Sequence, residues 1–111
     1  MFTAILALAA APVTDWGPMM KAAELYAQCA HTAAGPYVRS TRSVEEVVET
    51  AMRSCSQEER QMHSATRKAY EPLGLSEAEL DAAVREQAAK QRDLMRTKLS
   101  EAVSEFRKTR R

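Results

Sequence analysis

Residues that favour β-sheets are scarce in this chain. Isoleucine occurs once, at Ile5, aromatic residues make up 5% of the sequence, and no stretch alternates apolar with polar side chains. A sheet is therefore excluded. Glycine is equally sparse, with three residues, so the chain has no glycine-rich loop of the nucleotide-binding kind. No H-E-x-x-H pair and no Ser/His/Asp arrangement occurs, and without a nucleophile beside a base an enzyme is not expected. Neither sign of charge dominates: Lys and Arg total 16, Asp and Glu total 15, and the formal net charge is +1. That balance excludes a strongly basic nucleic-acid binder. No internal repeat is present.

At 111 residues the chain has the length of one domain. Much of its 45% apolar content is alanine, so the core should be thin, and a covalent staple or self-association would compensate. Phe2 to Ala11 is an unbroken apolar and small-residue run, ended by Pro12, Asp15, Gly17 and Pro18. It is far shorter than the roughly 20 residues a membrane-spanning helix needs. The run matches the apolar core of a secretory signal, with small-x-small cleavage registers such as Ala7-Leu8-Ala9, although no Lys or Arg precedes it. Residues 1–11 are thus expected to direct export to a bacterial periplasm, leaving 12–111 as a single helical domain. The other reading of the same residues is an apolar helix packed on that domain.

Helical periodicity dominates the rest. After Pro18, which suits a first helical turn, Ala22, Leu25, Tyr26, Cys29, Ala30 and Ala33 recur at three- and four-residue intervals until Gly35-Pro36. A connection over 34–43 follows. Ser43 and Glu46 form a capping box, behind which Val44, Val47, Val48, Ala51, Met52 and Cys55 make an apolar stripe. Met62, Ala65, Ala69 and Tyr70 extend it to Pro72 and Gly74, across a polar stretch, Ser54 to Arg60, that holds a second capping box at Ser56 and Glu59 and so leaves open a kink or break near Ser56. Ser76 and Glu79 make a third. Beyond it no Gly or Pro interrupts the chain, and Leu80, Val84, Ala88, Met95, Leu99, Ala102 and Phe106 mark a buried side, widened by Leu94 and Val103. These patterns predict an all-α fold with helices near 19–33, 44–71 and 77–108. The last two are expected as a long antiparallel hairpin, in a register that sets Val44 opposite Val103, Val48 opposite Leu99 and Met52 opposite Met95.

Cys29 and Cys55 lie too far apart for a C-x-x-C motif, and each falls on the buried stripe of its own helix. In an exported protein such a pair is expected as a disulfide, and closing that loop stabilises by roughly 3 to 4 kcal/mol. Cys29 lies near the end of its helix and Cys55 deep in the next. The connection must therefore run back by about 10 Å at 1.5 Å per residue.

Cys29, His31, His63 and the methionines offer soft metal ligands, but their spacing does not converge, so no metal and no cofactor is expected. Arg107, Lys108, Arg110 and Arg111 form a basic C-terminal tip, a candidate contact for anionic lipid or polymer, though the same cations suit a helix C-terminus. The apolar positions of the last helix drift around its circumference, which leaves stripe for a partner or a second copy to cover.

The run Leu73-Gly74-Leu75-Ser76-Glu77-Ala78-Glu79, followed by an Arg- and Gln-rich helix, resembles the L-T-x-x-Q region of the small periplasmic stress-chaperone and metal-sensing helical family. Ser76 stands for Thr and Glu79 for Gln. The resemblance implies dimers of bent helical hairpins that bind unfolded clients or metals. The residues themselves point to a non-enzymatic interaction or structural module of the envelope that contacts protein or itself.

Overall fold

The computed structural model describes residues 15–109, so the apolar run of residues 1–11 and the tip residues Arg110 and Arg111 lie outside the described residues. Those described contain no strand; they form four α-helices, α1 (Gly17–Ala34), α2 (Val44–Arg53), α3 (Ser56–Tyr70) and α4 (Glu77–Thr109). The all-α fold and the Cys29–Cys55 disulfide are both present.

Each helix boundary has a local cause. At the start of α1 the Asp15 carboxylate accepts from the Gly17 amide at 2.9 Å. Ser43 caps α2, its hydroxyl accepting from the Glu46 amide at 3.2 Å while the Glu46 carboxylate reaches back to the Ser43 amide at 3.5 Å. Ser76 and Glu79 cap α4 in the same way, at 3.2 and 2.9 Å. After α3, a 3-10 turn over Glu71–Leu73 ends on Gly74 at φ 69°, a left-handed conformation that suits glycine.

The expected helix 44–71 is two helices. The chain breaks at Ser54 and Cys55 with no Pro or Gly to cause it. Ser54 turns its hydroxyl back onto the Thr50 carbonyl at 2.9 Å, the Cys55 amide donates to Met52 rather than to Ala51, and Cys55 leaves helical geometry at φ −110°, ψ 36°. The Ser56–Glu59 capping box does not form. Ser56 is already the first residue of α3, and Cys55 occupies the cap position without a side-chain cap.

The core gathers Tyr26, Ala30 and Ala34 of α1, Val47, Val48, Ala51 and Met52 of α2, Met62 of α3 and Met95, Leu99 and Val103 of α4. Val48, Leu99, Met52 and Met95 therefore share one cluster. Ion pairs follow the same seam: Arg67 of α3 meets Asp81 at 2.7 Å and Glu77 at 2.8 Å, and Glu49 of α2 meets Arg96 at 2.7 Å. Leu80 and Ala88 are buried outside that cluster, nearer the turn at Gly74. Three expected core positions face solvent, Leu25, Leu94 and Ala102, while Met19 and Thr66 are buried unforeseen. Thr66 satisfies its hydroxyl on the Met62 carbonyl at 2.7 Å.

Candidate functional site

Three regions of the surface carry chemistry. The first is the disulfide, whose Cα atoms are 6.0 Å apart. Cys55 is fully buried and Cys29 half-buried. The break between α2 and α3 places Cys55 at a helix end, so the connection still runs back along the full length of α2 to bring Cys29 and Cys55 together. The Glu58 carboxylate lies within 4.8 Å of both sulfurs, but these are bonded to each other and hold no lone thiolate for a metal.

The second lies where all four helices meet. Tyr26 of α1, Glu49 and Arg53 of α2, Glu59 of α3 and Arg92 and Arg96 of α4 line a cavity of about 170 Å³. Arg92 is ion-paired with Glu59, and Arg96 donates from Nε and Nη2 to one Glu49 oxygen at 3.0 and 2.7 Å. Burial pushes the Tyr26 phenol up from its ordinary 10.0, while the Arg92 and Arg96 cations pull the other way. His63 stands beside the cluster with Nε2 4.0 Å from the Glu59 carboxylate. No sequence motif announced this group, because its members come from four helices at unrelated spacings.

No protein-family model, curated protein or solved structure matches the chain. The resemblance around Ser76 and Glu79 thus has no further likeness behind it, and those two residues act in the structure as the cap of α4.

The third region is a groove of about 650 Å³ between α1 and α4. Its apolar lining includes Met20, Ala23, Ala27 and Leu94, with Lys21, Glu24 and Lys98 also along it. Met20 is 58% and Leu94 50% exposed, two large apolar side chains open to solvent in one depression. The drift of the apolar stripe explains Leu94, which points aside from Met95 and Leu99.

The basic tip divides on inspection. Arg107 is half-buried, and its guanidinium donates to the carbonyls of Val38 at 2.8 Å, Ser40 at 3.2 Å and Tyr37 at 3.5 Å. It clamps the α1–α2 connection to the end of α4. Lys108 is exposed. Sequence reasoning missed the clamp because a partner about seventy residues away leaves no local pattern.

Proposed function

We propose that this chain is a non-enzymatic, exported helical protein of the bacterial envelope that works by presenting a helix face to a second copy of itself. The observation that carries this reading is the α1–α4 groove, where Met20 and Leu94 stand exposed together. Burying apolar area contributes about 25 cal/mol per Å², so such a depression gains by being covered. Both charge signs lie along the same groove, Lys21 and Lys98 with Glu24, and a two-fold arrangement can set each sign of one copy against the opposite sign of the other. The elongated shape, 61 × 26 × 21 Å, keeps the groove accessible along its length. Export rests on the composition of residues 1–11 and agrees with a disulfide as the staple.

Sedimentation of the oxidised protein at micromolar concentration tests the association. A dimer is expected, shifting to monomer when Met20→Glu and Leu94→Glu are combined; a wild-type protein that stays monomeric would reject the reading. Mass spectrometry of protein recovered from the periplasm tests export, with a first residue expected near positions 10 to 12. Binding of anionic polymer through the tip is the weaker alternative, because the Arg107 cation is spent on the connection.

A further inference from the structure

We propose that the cavity at the four-helix junction binds a small oxyanion of the phosphate class. Three guanidinium groups, Arg53, Arg92 and Arg96, line it against two carboxylates, Glu49 and Glu59. Each carboxylate is already matched to one arginine, Glu59 to Arg92 and Glu49 to Arg96. Arg53 has no acidic partner among the described residues, so the lining itself sets three guanidiniums against two carboxylates, with Asp93, outside the lining, reaching Arg96 at 3.5 Å.

The donor inventory points the same way. A guanidinium carries five N–H donors in a planar fork and no acceptor. Arg92 commits Nη2 to Glu59, and Arg96 commits Nε and Nη2 to a single oxygen of Glu49. Arg96 Nη1 also lies 3.5 Å from the Asp93 carboxylate and Arg92 hydrogen-bonds the Tyr26 side chain, so the uncommitted donors are chiefly those of the Arg53 fork. A phosphate supplies several acceptor oxygens on one centre and can meet donors arriving from α2 and α4 at once. The floor of the cavity strengthens such bonds, because Tyr26 is 1% and Met52 5% exposed and together they hold the local dielectric down. Its volume, about 170 Å³, suits a single anion. Organic ligands of drug size occupy roughly 300 to 1,000 Å³, so a nucleotide or lipid body would have to remain outside.

Arg53 makes the site testable without disturbing the fold, since none of the ion pairs among the helices uses it. Inorganic phosphate is titrated into the oxidised full chain by calorimetry and by amide NMR, with ionic strength held constant by sodium chloride. Saturable binding is expected, with shifts at the α2–α3 break and around Arg92. Arg53→Ala should weaken it at least tenfold with an unchanged phosphate-free melting curve, while Lys108→Ala leaves it intact. Phenyl phosphate forms the second arm. Equal affinity for the monoester assigns the site to a phosphoryl group on a larger molecule, and its exclusion assigns it to free phosphate. Absence of saturable binding overturns the proposal, as does equal weakening by Arg53→Ala and Lys108→Ala, which marks diffuse attraction.

Discussion

Tyr26 shows how much one residue in a small core can carry. Its ring lies under α2 and α4 with 1% exposure, and its hydroxyl lies beside Arg92. Tyr26→Ala should cost about 3 to 5 kcal/mol, the range for emptying a buried aromatic site, read as a lowered denaturant midpoint. The phenol also makes stability depend on alkaline pH. Its folded pKa is raised above 10.0, so the folded state holds this proton more tightly than the unfolded chain does. The contribution is complete below pH 10.0 and is lost as pH rises from there through the raised folded value. Melting temperatures should therefore fall more steeply above that point in the wild type than in Tyr26→Phe. Arg107 is the second residue with a reach beyond its neighbours. Arg107→Ala should cost about 1.5 to 3 kcal/mol, because hydrogen bonds from a charged donor to the carbonyls of Val38 and Ser40 disappear. Arg107→Lys should recover little of that in thermal unfolding, since an ammonium cannot serve the same spread of carbonyls as the fork.

Among the elements, the caps separate what is local from what is not. Ser43 and Ser76 sit before helices whose first turns need acceptors, and both boxes form as their spacing predicts. Ser56 and Glu59 have the same spacing but no box, because Ser56 is helical and the Glu59 carboxylate is drawn across to Arg92 on α4. Ser43→Ala should accordingly lower stability by about 1 kcal/mol, whereas Ser56→Ala should stay within about 0.5 kcal/mol of wild type in urea unfolding. Equal losses in the two variants would mean that Ser56 caps α3 after all. The break itself was legible only as a polar interruption in an otherwise continuous stripe. Its position coincides with Cys55, which is bonded to Cys29, a contact between residues distant in sequence.

At the scale of the whole molecule, a radius of gyration of 17.3 Å exceeds the about 13 Å of a compact domain of this length. The long α4 extends past the others, and a core of few large side chains is shared among four helices. Such a molecule depends on its staple. Reducing Cys29–Cys55, whose separation in sequence is 26 residues, should lower unfolding free energy by roughly 3 to 4 kcal/mol. Denaturant curves with and without a thiol reductant measure it, and coincident curves would assign the stability to packing alone. The effect should be largest for α1, which the disulfide ties to the α2–α3 junction.

Helix content, the positions of two capping boxes, the stop at Gly74 and the choice of Cys29 and Cys55 as partners follow from the sequence alone. Each rests on neighbours within about one helical turn or on a simple count. The division of 44–71 into two helices, the turning of Leu25 and Ala102 toward solvent, the clamp of Arg107 and the assembly of arginines over Tyr26 were decided by tertiary structure. A helical stripe defines a face only to within one position on its circumference. Which edge of that face is buried, and which charged side chains meet above it, depends on the angles at which the other helices arrive.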